Sequence, residues 1–309
     1  IFSIFFLYIY GVTAQEEAVF NHYTNNPFMI NPGATGFDAD YHRIFFNFRS
    51  QWAGFPGSPK SYAGSYNGPI GNRLGLGAMV YAENIAELSR LRAQASYAYR
   101  YQIEKLSMGL GLSTELHRVE VNNDLLNDPF FEAGDALIME KMDGLTVFDV
   151  TLGFFGTYDE NTFFGVSLPN LIRNRLDEIA GTAEDGNSPI KYYTAMLGHR
   201  FDLPENDITI EPSVAARKLR GAPLMIDLNL RATFLDEKLM GGATYTAGLD
   251  DAWFGFFLGT RLNSLQIMYS YHTYMGEFQS HSSGSHEISL GFFLPTGDGK
   301  YDRSRKYRN

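Results

Sequence analysis

The chain has 309 residues, of which 44% are hydrophobic and 15% aromatic, and its mean hydropathy is −0.20. The absence of Cys excludes a disulfide framework and thiolate metal sites. The net charge of −10 excludes the broad basic surface of a nucleic-acid-binding protein.

The start of the chain predicts the remnant of a secretory signal peptide over residues 1–14. Residues 1–10 are apolar, and Val12-Thr13-Ala14 supplies the small residues of a cleavage site before Gln15. The apolar run is too short for a membrane-spanning helix, and no later stretch approaches about twenty apolar residues. If the protein lies in a membrane, it must therefore cross with strands.

Residues 15–40 are polar and rich in turn formers. Asn25-Asn26-Pro27 and Asn31-Pro32-Gly33 combine Asn, Pro and Gly, which favour turns. We interpret this stretch as an N-terminal periplasmic segment that precedes the first strand.

From Tyr41 onward the chain follows a two-residue rhythm, and residues 224–234 show it most clearly. Leu228 and Leu230 fall on an apolar face, and Asp227 and Asn229 fall on a polar face, because successive side chains of a strand point to opposite sides. The spacing of three and four that an amphipathic helix requires is missing. About ten residues is the length of a tilted strand that crosses a bilayer.

The same alternation predicts about fourteen strands, an even number as in single-chain bacterial barrels. They span residues 41–51, 58–67, 73–82, 89–102, 106–117, 145–157, 162–168, 191–201, 208–217, 224–234, 239–247, 252–261, 265–273 and 287–294. Apolar faces toward lipid, aromatic residues at the interfaces and a polar interior account for the composition. The predicted fold is therefore all-β, a transmembrane antiparallel up-and-down β-barrel over residues 41–295.

The connections between predicted strands are sorted by length. Connections with even numbers are short, whereas the long ones, residues 118–144, 169–189 and 274–285, all have odd numbers. Short turns at one rim and long loops at the other are expected of an outer-membrane barrel whose two termini are periplasmic. A soluble β-sandwich gives no reason for this sorting.

A polar, basic tail over residues 296–309 follows the last strand. It carries Lys300, Arg303, Arg305, Lys306 and Arg308. One interpretation is a disordered, solvated end, and the other is a periplasmic handle for an acidic partner.

Charged residues recur on the polar faces of the predicted strands. They are Arg43, Arg49, Arg90, Arg92, Arg100, Arg217 and Arg231, with Glu115, Glu211 and Asp227 as acidic counterparts. An Arg facing lipid near the midplane would cost about 2–4 kcal/mol, so we place these charges in the lumen. They form either a set of ion pairs that braces the interior or a basic pocket for an acidic peptide or anion.

No motif predicts catalysis, a cofactor or a metal ion. The chain has no G-x-S-x-G elbow and no HExxH pattern, and its His residues are scattered. Gly75-Leu76-Gly77 and Gly109-Leu110-Gly111 lack the following helix of a phosphate loop, so we interpret them as close-packed lumen positions.

Three short motifs resemble one known family. They are Asn31-Pro32-Gly33-Ala34-Thr35-Gly36, the stretch Arg49-Ser50-Gln51-Trp52-Ala53-Gly54 that continues to Pro59, and Leu74-Gly75-Leu76-Gly77. In this order and spacing the chain resembles the PorP/SprF family of type IX secretion system outer-membrane proteins. The stretch 83–87 departs from the family pattern, because an Asp and a Gly are expected in that turn.

The resemblance implies a non-enzymatic protein of the bacterial outer membrane. Such proteins help to secrete, or to retain at the cell surface, proteins with a C-terminal sorting domain, and some support gliding motility by anchoring large adhesins. The implied partners are that sorting domain, other secretion components and the lipid bilayer. The motif residues have either structural or partner-binding roles, and they are Asn31, Pro32, Gly36, Arg49, Gln51, Trp52, Gly54 and Pro59.

Two other functions remain open at this point. A porin or a transporter of small or hydrophobic solutes would have the same strand pattern. An outer-membrane enzyme is disfavoured because no catalytic grouping is visible.

Overall fold

The computed structural model describes residues 20–121, 144–173, 190–248, 252–275 and 283–296. The predicted signal peptide remnant and nearly all of the basic tail lie outside these ranges.

The described chain from Tyr41 to Pro295 is built almost entirely of strands. They are β1 (Tyr41–Ser50), β2 (Lys60–Ile70), β3 (Leu74–Ile85), β4 (Leu88–Ile103), β5 (Leu106–Val121), β6 (Leu145–Tyr158), β7 (Thr162–Leu168), β8 (Tyr193–His199), β9 (Phe201–Leu203), β10 (Ile208–Lys218), β11 (Leu224–Phe234), β12 (Leu239–Ala247), β13 (Ala252–Leu262), β14 (Leu265–Tyr274) and β15 (Ser285–Pro295). Several strands are longer than predicted, because β2, β3 and β5 continue into stretches assigned to turns or loops.

The strands form one closed antiparallel ring. Apart from β8 and β9, which both pair with β10, each strand pairs with its neighbours in sequence, and β1 also pairs with β15, which closes the sheet. The strands β8 and β9 are interrupted at Arg200 and pair with successive parts of β10, so they occupy one position in the wall. In the described ranges the wall therefore has fourteen positions, as the alternation predicted.

The two faces of the wall differ in the way that the rhythm of β11 predicted. Leu228 and Leu230 point outward and are 52% and 51% exposed, whereas Asp227 points inward and is 1% exposed. Phe46, Leu110 and Leu258 are likewise large apolar residues exposed on the outer face. Burying this outer face in lipid removes apolar area from water, and this transfer is the main contribution to the stability of such a wall.

The two rims differ in the length of their connections, as predicted. Turns such as Glu104-Lys105 and Asn263-Ser264 join strands at one rim, while β5, β7 and β14 end at the other, where long stretches of sequence separate each from the next strand. Tyr41 pairs with Pro295, so the wall begins and ends at the short-turn rim.

The described helices are short. Three 3-10 helices, Asn21–Thr24, Pro27–Met29 and Pro32–Ala34, precede the wall. Among the described residues, no helix has the length and apolarity needed to cross a membrane.

The placement of the segment before β1 corrects one expectation. We expected residues 15–40 to lie outside the barrel on the periplasmic side, but residues 20–37 lie inside it and contact the inward faces of β2, β5, β6, β11 and β15. The physical reason is that the turn-rich backbone exposes many polar groups, and the polar lumen supplies hydrogen-bond partners for them. We call residues 20–37 the plug.

Candidate functional site: the plugged lumen

Asn31 fastens the plug to the barrel wall. Its side-chain oxygen accepts a hydrogen bond from the Gly33 amide at 2.8 Å and so caps the third 3-10 helix. Its side-chain nitrogen donates to the carbonyl oxygens of Phe154 at 2.9 Å and Val166 at 3.4 Å. One side chain therefore joins the plug to β6 and β7.

Inward glycines of the wall leave room for the plug backbone. A Cβ added to Gly111 would lie 2.1 Å from the carbonyl oxygen of Pro32, and one added to Gly109 would lie 2.2 Å from that of Gly33. Only glycine lets two backbones approach this closely. The prediction that these positions are close-packed in the lumen is confirmed.

The last part of the plug depends on glycine in the same way. Gly36 has a φ of +57°, and its amide donates to the side-chain oxygen of Asn67 at 3.3 Å. A Cβ at Gly75 would lie 2.1 Å from the carbonyl oxygen of Thr35. The first motif of the resemblance thus packs directly against the glycines of the third.

The first residues of the plug are held by a buried carboxylate. The backbone amides of Asn21 and His22 donate to the two carboxylate oxygens of Glu287 at 2.8 and 3.0 Å. The Nδ1 atom of His22 lies 2.5 Å from the Ser289 hydroxyl. Glu287 lies at the start of the last predicted strand, but the sequence gave no signal that this residue would contact a segment more than 260 positions away.

Tyr23 ties the plug to a buried ion pair of the lumen. Its hydroxyl donates to Asp227 at 2.9 Å. Arg217 donates to the same carboxylate from Nε at 2.6 Å and from Nη2 at 3.0 Å, and the pair is almost completely buried. A buried pair needs such additional hydrogen bonds to offset the loss of hydration.

The other predicted arginines also point into the lumen. Arg231 contacts Glu211 at 2.6 Å, and Arg200, which was not among the predicted lumen charges, contacts the same carboxylate at 3.5 Å. Arg43 pairs with Asp38, which lies just beyond the plug. The ion-pair interpretation of the lumen charges therefore accounts for these contacts.

Acidic partners of two further arginines were not identified from the sequence. Glu83 is buried and lies 3.1 Å from Arg90, and Glu287 lies 3.8 Å from Arg49. Glu83 falls in the stretch that departs from the family pattern, where we expected a turn, but β3 continues through it to Ile85.

Three predicted lumen charges have other neighbours. The Arg92 guanidinium lies 5.5 Å from the centre of the Tyr81 ring. Arg100 donates to the Gly71 carbonyl oxygen at 3.0 Å. Glu115 accepts hydrogen bonds from Ser113 and Thr151, both at 2.8 Å.

The motif that begins at Arg49 shapes the rim with the long connections. The backbone amide of Gln51 donates to the Pro59 carbonyl oxygen at 2.9 Å, which closes the connection between β1 and β2. Trp52 and Gly54 have φ values of +51° and +89°. The Trp52 amide donates to the Ser285 hydroxyl at 3.2 Å, so the connection is joined to the start of β15.

Two chambers flank the plug within the described residues. The outer chamber, about 140 Å³, opens toward the long connections and is lined by Arg90, Arg92, Glu115, Arg217 and Arg220 among others. The inner chamber, about 270 Å³, opens toward the short turns. Plug residues line both, so the plug separates them.

The sequence as a whole was compared with known protein families. The family model described as "Type IX secretion system membrane protein PorP/SprF" matches residues 12–292, which include the plug and almost the whole wall. The chain belongs to this family. PorP/SprF proteins are membrane proteins of the type IX secretion system, so a role with other components of that system follows for this chain.

Solved structures of other proteins are similar to this PorP/SprF protein. The "CymD monoaromatic hydrocarbon channel" is 11% identical, with a TM-score of 0.52 over 88% of this chain and 92% of that one. Omp33 of Acinetobacter baumannii, an outer membrane protein, is 9% identical, with a TM-score of 0.49 over 84% and 100%. At 11% identity the likeness to the CymD channel shows the fold alone. No curated protein matches the sequence.

The family and the fold place this PorP/SprF barrel in the outer membrane. In the described part of the chain, no group of three or more His, Asp or Glu is arranged to hold a metal ion.

Proposed function

We propose that this PorP/SprF barrel supports the secretion and cell-surface anchoring of proteins that carry a C-terminal sorting domain, including adhesins used in gliding. The barrel acts by binding, without catalysis. Its partners are the sorting domain at the cell surface and type IX components in the periplasm or outer membrane.

The observation that carries this proposal is the plugged lumen. A solute porin needs a continuous aqueous path, whereas here Asn31, Pro32 and Gly33 occupy the interior and contact the wall backbone directly. Hydrogen bonds from Asn21 and His22 to Glu287 hold the opposite side of the plug. An occluded barrel suits a protein that binds a folded partner at its rim rather than one that conducts solutes.

The long-connection rim is the surface that we assign to cargo. It would face the cell exterior if both ends of the wall are periplasmic, and retention at the surface requires contact there. Two of its connections meet, because the backbone amide of Ala53 donates to the carbonyl oxygen of Gly284 at 2.7 Å. Phe55 presents an exposed aromatic ring in the same connection, and exposed aromatic residues often anchor protein interfaces.

The test is affinity purification from detergent-solubilised outer membranes of the native host. We expect a sorting-domain protein and secretion components to co-purify, and we expect Phe55→Ala to reduce recovery of the sorting-domain protein. Leu235→Ala is the matched control, since Leu235 is also an exposed apolar residue, 55% against 47% for Phe55, and lies in a turn at the opposite rim. Recovery of neither kind of partner, together with a steady open-channel conductance of the purified barrel, would instead support a solute channel.

A further inference from the structure

The inner chamber combines an aromatic lining with arginines. Phe28 and Phe37 of the plug face Phe155, Phe163 and Phe293 of the wall across this space. Its volume of about 270 Å³ is near the lower end of small-molecule sites, which typically span about 300–1,000 Å³. The chamber is therefore large enough for a ligand with one small apolar group.

Two guanidinium groups meet at one aromatic ring of this chamber. The Arg261 guanidinium carbon lies 4.1 Å from the centre of the Phe293 ring, and that of Arg43 lies 5.4 Å from the same centre. The ring attracts both cations through its quadrupole, but it does not neutralise them. An anion placed beside Phe293 could contact both arginines.

Each arginine that lines the chamber has a carboxylate neighbour, and Glu160 lines the chamber as well. Glu211 is shared by Arg200 and Arg231. Asp38 pairs with Arg43. Glu237 lies 3.5 Å from Arg261, but its side chain is 38% exposed, so solvent weakens that pair.

Buried guanidinium nitrogens also lie among the arginines of the chamber. The Nε atoms of Arg43, Arg231 and Arg261 are buried and make no hydrogen bond to any described group. A buried N–H donor without an acceptor costs free energy, of the order of 1–3 kcal/mol. A carboxylate that enters the chamber could accept from these donors.

We propose that the inner chamber binds a small amphipathic carboxylate, that is, an aromatic or alkyl group joined to a carboxylate. The apolar group packs among the phenylalanines, and the carboxylate lies between Arg43 and Arg261. The chemistry is shared by free small acids and by the C-terminal residue of a polypeptide. This site is independent of the cargo surface proposed above, because it opens at the opposite rim.

The test uses the purified full-length barrel in detergent and 3-phenylpropionate as the probe, with binding measured by isothermal titration calorimetry. We expect saturable binding of 3-phenylpropionate, and at least about tenfold weaker binding of neutral 3-phenylpropanamide and of acetate, since each lacks one of the two recognised groups. Equal binding of the acid and the amide would overturn the proposal.

A matched pair of variants locates the site. Arg261→Gln should weaken 3-phenylpropionate binding about tenfold. Arg92→Gln is the control, because Arg92 also lies over an aromatic ring but lines the outer chamber. An unchanged affinity in folded Arg261→Gln, or an equal loss in both variants, would place the ligand elsewhere and refute the site.

A variant that fills the chamber keeps the test decisive if Arg261→Gln fails to fold. Thr233→Trp adds a bulky side chain to the lining without removing a charge, and it should abolish binding of the probe.

To distinguish the two sources of ligand, a tripeptide that ends in Phe is compared as free acid and as amide. Binding of the free-acid peptide supports a polypeptide terminus, and binding of 3-phenylpropionate alone supports a small acid, whereas binding of neither contradicts the proposal.

Discussion

The Arg217 guanidinium and the Asp227 carboxylate form a two-point ion pair across β10 and β11, with donor–acceptor distances of 2.6 and 3.0 Å. Tyr23 and Thr246 donate to the same carboxylate. The pair therefore links the plug to three strands of the wall, and it lies where the polar side of the alternation meets the N-terminal segment.

Removing one member of this pair should be costly. Asp227→Asn leaves the Arg217 charge buried without its counter-ion, which typically destabilises a protein by about 3–5 kcal/mol. We expect a marked fall in the unfolding temperature, measured by heat-modifiability on gels.

Two controls accompany the Asp227 variant. Replacing both residues, as Arg217→Met with Asp227→Leu, should recover much of the loss, because neither charge is then left buried alone. Asp159→Asn at the exposed pair with Lys105 should leave the unfolding temperature unchanged. A loss from Asp227→Asn no larger than that from Asp159→Asn would contradict the role of this pair.

The glycines beneath the plug give a steric prediction. Gly111→Ala places a Cβ 2.1 Å from the Pro32 carbonyl oxygen, and backbone cannot rotate away as a side chain can. We expect the variant to be less stable by about 1–3 kcal/mol. Because the plug loosens, we also expect a higher conductance in planar bilayers. Gly64→Ala is the control, since its Cβ would meet only the Phe46 ring at an ordinary 3.6 Å. Equal behaviour of the two variants would argue against the close packing of plug and wall.

Depth in the membrane should govern the cost of a charge on the outer face. Leu228 lies near the middle of β11, so Leu228→Arg should lower the folding stability by about 2–4 kcal/mol. Leu235 lies in the following turn, so Leu235→Arg should lower it by only about 0–1 kcal/mol. Both leucines are exposed on the outside of the protein. Folding yield and stability in lipid bilayers measure the difference, and equal tolerance of both substitutions would contradict a lipid-facing wall.

The turn between β3 and β4 offers a stabilising substitution. Ala86 has a φ of +46° in a connection of two residues, a conformation that glycine adopts without steric cost. Ala86→Gly should therefore raise the unfolding temperature slightly, whereas Ala82→Gly within β3 should lower it, because glycine weakens a strand interior. Destabilisation by Ala86→Gly would show that the left-handed conformation is not strained.

The wall could be predicted from the sequence because its pattern is local. Leu228 and Asn229 differ in polarity, and this alternation alone assigns them to opposite faces once a strand is assumed. The sorting of connections by length then gave the two rims. The break at Arg200 and the extensions of β3 and β5 carry no such periodic signal, so they were not predicted.

The plug could not be placed from the sequence, because it is held by contacts between distant residues. Asn31 meets Phe154, and His22 meets Glu287, and no local pattern links these pairs. One signal was present. Gly109 and Gly111 leave the inward face of β5 without side chains, which implies that another part of the chain fills the space.

The most direct test of the plugged barrel uses the absence of native cysteine. The side chains of Asn26 and Ser65 are in contact at 3.3 Å inside the lumen, whereas the neighbouring Tyr66 points outward. The double variant Asn26→Cys/Ser65→Cys in native outer membranes should form an intramolecular disulfide, visible as a mobility shift on non-reducing gels. Asn26→Cys/Tyr66→Cys should form none, and a failure of the first pair to cross-link, or equal cross-linking of both, would contradict the position of the plug.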